Sequence, residues 1–339
     1  MTIRSVATST QLPAAWDDLA TNVYTTREWL ATVESRGPVE YMTAGGDTLT
    51  AGAAVYVIDA SVAPSPYLRL DALLERLTGV PHASEDHLPA LLVGSREFGI
   101  DGFLRRDRSS RYAEGAAELL AAVRDRARRD RYRAVYLPAV ADEDAVLLTV
   151  LAEQGFRRFP TDATLAVPVV GLGVSAYLTS LPGKLRRNAQ REIRALQEVR
   201  FETAPLNEGM LDELVDLEQA NLVRHGSTRD RAATRRMFET YLSLSGASTR
   251  VFLARGEDRA LGFSLFVVWR TTAYGRNIGL DYNALGGRPL YFALTVYEPV
   301  GEFARHGVAS LDLGPSGDDA KLRRGAVPSA RSCHVLRLP

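Results

Sequence analysis

The chain has 339 residues, 46% of them hydrophobic and 24% charged. That is an ordinary globular composition on a length that exceeds one average core, so two domains are expected. Lys+Arg 41 against Asp+Glu 41 leaves no net charge, hence no global field toward nucleic acid or an anionic membrane; any such partner must be met by a local patch. No apolar run reaches a membrane span, the longest being LAVPVVGLGV at 165–174, and the opening MTIRSVATSTQLPAAW lacks an apolar h-region. Cys333 is the single cysteine, which excludes an intrachain disulfide framework and a CxxC metal site. A cytoplasmic protein without membrane insertion is the expectation. Lys184 and Lys321 are the only lysines among the basic residues, so generic surface charge is carried by arginine.

In chain order, residues 11–36 read as an initial helix carrying Trp16, Leu19, Trp29 and Val33. Segments 38–46 and 48–59 read as two strands joined at Gly45-Gly46. Residues 60–105, rich in Pro and Gly, read as loop with short elements. SSRYAEGAAELLAAVRDRARRD (109–130) repeats Ala113, Ala116, Leu120, Val123 and Ala127 at helical steps behind a Ser N-cap. A strand at 133–140, a helix at 142–156 stopped by Gly155 and a strand at 162–170 follow.

The second half opens with a short helix after Ser175, then the basic helix KLRRNAQREIRALQE (184–198) and a strand at 199–205. Helices are expected at 207–226 and 230–245, then three β-type runs, STRVFLARG, RALGFSLFVVWR and TAYGRNIGLDY. A helix over 289–307 begins with Pro289, carries a second proline at 299 that should kink it, and stops at Gly307. VASLDLG (308–314) and SCHVLRL (332–338) read as strands. A helix pair, a three-strand meander, a helix and a strand is the order of the GNAT fold, and the end of that order also occurs at 133–170. The expectation is α/β, with mixed sheets, in two tandem GNAT-like domains: a degenerate one at 1–170 and one at 171–339 carrying the site.

Five segments resemble the Fem-type, FemAB-like peptidoglycan-biosynthesis branch of the GNAT superfamily: AAWDDLA with REWLATVE, AYLTSLPGKLRRNAQREIR, YGRNIG, LYFALTVYEPVGEFARHGVASLDLG and AKLRRGAVPSARSCHV. The resemblance covers about the whole chain, most weakly from 60 to 160, and the last motif is the most specific. It implies an acyltransferase that makes an amide on an amine, the donor being an aminoacyl-tRNA or an acyl-CoA as co-substrate, with no tightly bound cofactor. An ordinary GNAT holds the CoA pyrophosphate on N–H groups at the helix start after its fourth strand. Here that position reads NALGGRPLYF: Gly286, Gly287 and Arg288 could form an anion nest, but Pro289 removes an N–H and Leu290 and Tyr291 are bulky. The family arm built as a coiled coil has no heptad run here, which leaves room for a small metabolite in place of a bulky cell-wall precursor as acceptor.

By the same resemblance Lys321 is the first candidate for stabilising transition-state charge or gripping the donor, flanked by Arg324, Gly325, Pro328 and His334. Asp281, Tyr282 and Tyr297 are candidates for the base or for positioning the amine, against the plainer roles of strand-end cap and core aromatic. Tyr274 and Arg276 fall on one strand face and are candidate cleft residues. Lys184, Arg187, Arg191 and Arg194 recur at steps of three and four, a basic face for an anionic partner such as tRNA, whereas 124–133, with Asp125 and Asp130 interleaved, reads as a solvated face. His82, His87, His225 and His334 have no metal-ligand spacing, so no metal is expected; GPSG (314–317) is no nucleophile elbow and no P-loop is present. Two alternatives stand beside the aminoacyl-tRNA reading: an acyl-CoA-dependent N-acyltransferase, and an inactive binding module for a cell-wall precursor or tRNA.

Overall fold

A computed structural model describes residues 2–46, 48–105, 110–171, 173–227, 229–257, 259–283, 286–287, 289–315 and 317–339. The elements run β1 (Ile3–Val6), α1 (Ala15–Leu19), α2 (Arg27–Val33), β2 (Val39–Gly45), β3 (Leu49–Ile58), α3 (Leu70–Thr78), β4 (Ala90–Val93), β5 (Phe103–Arg105), α4 (Ser110–Arg129), β6 (Ala134–Ala141), α5 (Ala145–Glu153), β7 (Arg157–Pro160) and β8 (Thr164–Pro168). They continue with α6 (Gly173–Ser180), α7 (Gly183–Arg194), β9 (Arg200–Pro205), α8 (Leu211–Arg224), α9 (Arg231–Leu242), β10 (Ser248–Arg255), β11 (Ala260–Trp269), β12 (Thr272–Leu280) and α10 (Leu290–Phe292). A π turn at Ala293–Tyr297 joins α10 to α11 (Glu298–Phe303), and β13 (Ser310–Asp312), α12 (Asp318–Leu322), β14 (Val327–Ser329) and β15 (Arg331–Arg337) close the chain.

Two compact units result, one of residues 1–164 with 329–339, the other of 165–328. Among the described residues the first has a sheet in the order β1-β2-β3-β4-β6-β15-β7, with β5 also on β3. Its central strand β3 is buried almost throughout. The small residues Ala51, Gly52, Ala53 and Ala54 leave room for covering helices: a Cβ on Gly52 would lie 2.9 Å from the Trp16 ring, and one on Gly115 of α4 only 2.3 Å from Thr50 Oγ1. The second unit's sheet runs β14-β8-β13-β12-β11-β10-β9. Its core brings Phe252, Phe266 and Phe303 into mutual edge-to-face contact at 5.4–5.7 Å.

The α/β class and the tandem plan are as expected, and two local expectations are corrected. The single helix over 11–36 is two, because the chain leaves α1 at Ala20 and restarts where the Thr26 hydroxyl accepts from Trp29 N at 3.3 Å. The Trp16 indole donates to Thr25 O at 2.8 Å and pins the break. Segment 60–105, expected as loop with short elements, holds the short α3, β4 and β5. The C-terminal half expected at 171–339 loses its last strand: β15 lies antiparallel between β6 and β7, pairing Val335 with Tyr136 and with Arg157. In exchange β8 joins the second unit's sheet, on β13. Alternation in a sequence marks a strand but not its partner.

Candidate active site

Within the second unit β12 and β13 run parallel and pair only over Thr272–Tyr274 with Ser310–Asp312. Beyond that the two strands part. On its other side β12 pairs with β11 through a bulge: Leu265 faces Asn277 and Phe266 faces Gly275, so Arg276 is the extra residue. A bulge turns two successive side chains to one face, and the contacts agree. Arg276 Nε donates to the Tyr241 hydroxyl on α9 at 3.4 Å, and Asn277 Nδ2 donates to Glu218 Oε1 on α8 at 3.0 Å. Between the parted strands is a cavity of about 150 Å³ walled by Gly275, Arg276 and Asn277, by Tyr291 and Thr295 of the following helix, and by Leu313. Small-molecule sites run from ~300 to 1,000 Å³, so the wedge takes a thin chain rather than a bulky group.

The helix after β12 carries an irregularity at this point. Pro299 has no N–H to give to Thr295 O, and the preceding turn widens to π geometry over Ala293–Tyr297. Ser264 Oγ of β11 donates to Leu294 O at 2.5 Å. The expected kink at Pro299 is thus a wide turn beside the cavity.

Glu218 is the residue that the sequence reading missed. It is 5% exposed, and burial, the leading influence, pushes its carboxyl above the usual glutamate range against the opposing Asn277 hydrogen bond and the Arg229 charge. Its Oε2 and the Oδ1 of Asn277 are both buried and have no hydrogen-bond partner among the described residues. Gly279 explains the closeness of α8: a Cβ there would lie 2.6 Å from Leu217 C and 2.7 Å from Glu218 N, so only glycine lets the helix backbone rest on β12. In the sequence Glu218 sits inside an apolar helical stripe, LDELVDLEQ, and nothing but its register with Leu214 and Leu217 could have marked it.

The expected site residues divide into several places. Tyr274 is buried and Arg276 lines the wedge. Lys321 is 6% exposed, and its ammonium donates to Leu313 O at 2.6 Å, Gly314 O at 3.1 Å and Pro315 O at 3.3 Å. It clasps the loop that leaves β13. Tyr297, fully buried, donates to Glu192 Oε2 at 2.5 Å; Arg324 holds Glu192 Oε1 at 2.5 Å, gives Ala320 O a bond of 2.9 Å and stacks 3.5 Å over Phe292. Burial first, and then the Glu192 charge, drive the Tyr297 phenol far above its ordinary pKa. Tyr297 and Arg324 therefore pin α7 to the helix after β12. Asp281 pairs with Arg259 at 3.0 Å and accepts from Asn283 N at 3.1 Å, the geometry of a strand-end cap. Tyr282 donates to Asn221 Oδ1 at 3.2 Å.

Gly286 and Gly287 both have positive φ, +55° and +78°, in the turn before the helix, while Arg288 lies outside the described residues. Pro289 precedes the first helical residue, Leu290 is buried in the core, and Tyr291 turns to the wedge. Lys184, Arg187, Arg191 and Arg194 are exposed on one side of α7, opposite Glu192 and buried Ala189. His334 does not join this group. It belongs to the first unit, 3% exposed, with Nε2 3.0 Å from Ser332 Oγ, which donates to Asp142 Oδ1 at 2.8 Å. Motif order along the chain ran past the strand exchange that carries β15 away.

The first unit has a parting of its own, closed by its own side chains. There β4 and β6 pair in parallel only over Ala90–Leu92 with Ala134–Tyr136. Asp101 accepts from Phe103 N at 3.1 Å and Ala141 N at 3.3 Å. Arg105 bridges Asp101 (3.2 Å) to the fully buried Asp144 (3.0 Å), to which the Tyr112 hydroxyl donates at 2.9 Å. Every carboxylate in this cluster has a donor of the chain itself.

Two units built on one plan, each with a helix after a parted strand pair, define a tandem GNAT-fold protein. Residues 172–338 match the model of the FemAB-like family, described as peptidoglycan biosynthesis/recognition. The fold is similar to that of FemX, at 13% identity over 100% of this chain and 98% of that one, with a TM-score of 0.69. It is also similar to the C-terminal domain of a candidate lysylphosphatidylglycerol synthetase from Agrobacterium fabrum (15% identity, 95% and 90% covered, TM-score 0.57). A tandem GNAT protein of the clavulanic acid biosynthesis pathway shares 12% identity over 99% and 98% of the chains, with a TM-score of 0.55. No curated protein matches the sequence. These likenesses agree with the expected fold, and the family match with the expected branch. No helix among the described residues is long and apolar enough to cross a membrane.

Proposed function

We propose that the wedge of the second unit is the site of an acyltransferase that forms an amide on an amine, taking the acyl group from an aminoacyl-tRNA. The amine nitrogen forms the new bond to the ester carbonyl carbon, the bond to the ribose oxygen breaks, and the proton lost by the amine ends on that oxygen. The single observation that carries the reading is the parting of β12 from β13 beside the bulge at Arg276, which opens a slot at mid-strand next to a buried carboxylate. Against CoA as donor stands the turn before the helix, where Pro289, buried Leu290 and Tyr291 replace the small N–H-bearing residues a pyrophosphate needs. In favour of tRNA stands the exposed basic face of α7, with Lys184, Arg187, Arg191 and Arg194 free to meet phosphates. The family description, peptidoglycan biosynthesis/recognition, supports a cell-wall-type amine as acceptor.

In this reading Arg276 lines the reacting end, and Tyr274 is buried one residue beyond the slot's wall. Lys321 and Arg324 act through the framework: the first fixes the 313–315 loop that forms one wall, the second fixes α7. The narrow slot itself favours a second reading, an acyl-CoA donor whose thin arm would lie between the strands. Incubating the protein with a charged tRNA pool or with acyl-CoAs, each with a mixture of primary amines, separates the two by mass spectrometry of the amide product. Product from charged tRNA supports the proposal; product from acyl-CoA alone overturns the donor assignment, and no product from either overturns the activity.

A further inference from the structure

Glu218 and Asn277 pose an accounting problem. Their heads are tied by the 3.0 Å bond from Asn277 Nδ2 to Glu218 Oε1, so the two remaining oxygens, Glu218 Oε2 and Asn277 Oδ1, belong to one small region. Both are buried acceptors without a donor among the described residues. Leaving a buried acceptor unpaired costs ~1–3 kcal/mol, and more for a charged one. A proton on Glu218 Oε2 would donate to Asn277 Oδ1 and close an acid–amide pair, but only with the carboxyl neutral; the charged pair has no donor for either oxygen among the described residues. The nearest cation, Arg229, stands 3.8 Å from the other oxygen, Oε1, with its side chain 41% exposed, and its NH1 also contacts Met237 Sδ at 3.4 Å. What the pair lacks is a group with several N–H donors, no acceptor and a positive charge. Among common metabolite groups an ammonium meets that description, since it is a compact cation with three donors.

The place is also apt. Asn277 is a wall residue of the wedge, and the bulge at Arg276 turns both side chains toward α8 and α9, so the acceptor pair is buried behind the wall of the slot where the acyl carbonyl would lie. We infer that Glu218, with Asn277, is the ammonium-binding site that receives the acceptor substrate, a primary amine bound in its charged form, which passes one proton to the Glu218 carboxylate before its nitrogen attacks. This rests on the acyltransferase reading for its place in a reaction, and on the two orphaned oxygens for its chemistry. The raised carboxyl of Glu218 is consistent with a group that becomes comfortably charged once a cation arrives.

The test uses the full chain and methylammonium chloride, with sodium chloride and tetramethylammonium chloride at equal ionic strength as controls; the last carries the charge but no N–H donor. Binding is followed by the side-chain amide resonance of Asn277 and by the shift in melting temperature. Methylammonium is expected to move the Asn277 resonance and raise Tm where tetramethylammonium does neither, and Glu218→Gln is expected to weaken that binding about tenfold or more. Asn277→Ala removes one acceptor while leaving the carboxylate, and should weaken binding less; it serves if Glu218→Gln folds poorly. Equal responses to methylammonium and tetramethylammonium, or unaltered binding in both variants, overturn the inference. The outcomes separate from those of the activity test. Amide formation with no methylammonium binding removes Glu218 and keeps the acyltransferase, while binding without transfer from any donor does the reverse.

Discussion

Replacing Lys321 tests whether the one buried lysine acts on a substrate or on its own chain. The geometry says the latter. Its ammonium serves Leu313 O, Gly314 O and Pro315 O from a position 6% exposed. Hydrogen bonds from a charged donor contribute roughly 1.5–3 kcal/mol each, and bonds sharing one cation add less than their sum. Gly314 O keeps a partner in Leu165 N at 3.2 Å, so the carbonyls orphaned by truncation are Leu313 O and Pro315 O. At ~1–3 kcal/mol each, with water able to reach part of the gap, Lys321→Ala should cost about 3 kcal/mol. Lys321→Met, which keeps the apolar stem, should cost about 2 kcal/mol and isolate the hydrogen bonds from the packing. Urea denaturation of both variants, alongside amide formation per folded molecule, is the assay. The expected result is a clear loss of stability with turnover per folded molecule reduced modestly, through a looser wedge wall. A stability change below about 0.5 kcal/mol together with a collapse of turnover would refute the reasoning and return Lys321 to the chemistry.

Tyr297→Phe removes the 2.5 Å bond to Glu192 but leaves Arg324 on that carboxylate; a loss of about 1–2 kcal/mol in a denaturation curve is expected, with acyl transfer retained, and abolished transfer in a stable variant would restore Tyr297 as a base. Gly279→Ala drives a Cβ into the α8 backbone at 2.6–2.7 Å; about 2–4 kcal/mol of destabilisation and a displaced Glu218 should follow, so methylammonium binding should fall with it, and wild-type binding in this variant would mean that α8 is not held by β12. His334 supplies a pH test. Burial first, then Arg158, push its pKa from 6.5 to about 4. Above pH 6.5 both folded and unfolded chains hold it neutral; below, the unfolded chain takes the proton and the folded one resists until about pH 4. Stability therefore declines through this window and the term is flat beneath it. At about pH 5 the decline amounts to ~2 kcal/mol at ~1.4 kcal/mol per unit. His334→Gln, measured by denaturation at neutral pH and in acid, should lose that much less on acidification; an identical loss would show that the imidazole is not the group responsible.

Much of the second unit was legible because its elements advertise themselves. The meander β10–β12 is β-rich with turn residues between its strands, α8 and α9 have helical stripes, and Pro289 and Gly307 mark the two ends of one helix. What the sequence could not carry is partnership. β15 has the alternation of a strand but lies in the first unit, and His334, adjacent in motif to Arg324, is drawn off with it. Charge was misleading for the same reason: the scarce Lys321 looked reactive, and a lysine that serves backbone carbonyls is indistinguishable from one that serves a substrate until the carbonyls are located. Glu218 was silent for the opposite reason, being an acidic residue in a helix that also carries Asp212, Glu213 and Asp216 on its solvent side.

The two units give opposite answers to the question of what happens where a parallel strand pair parts. Parting strands leave backbone and side-chain polar groups that must find partners. In the first unit Asp101, Arg105, Asp144 and Tyr112 satisfy one another, and the gap is stitched into the core. In the second the bulge at Arg276 and the glycine at 279 bring Glu218 and Asn277 to the gap and leave an oxygen on each without a donor. A protein keeps such a debt where a ligand settles it. That difference between the two gaps, rather than any difference in fold, is what supports our proposal that the chemistry belongs to the second unit.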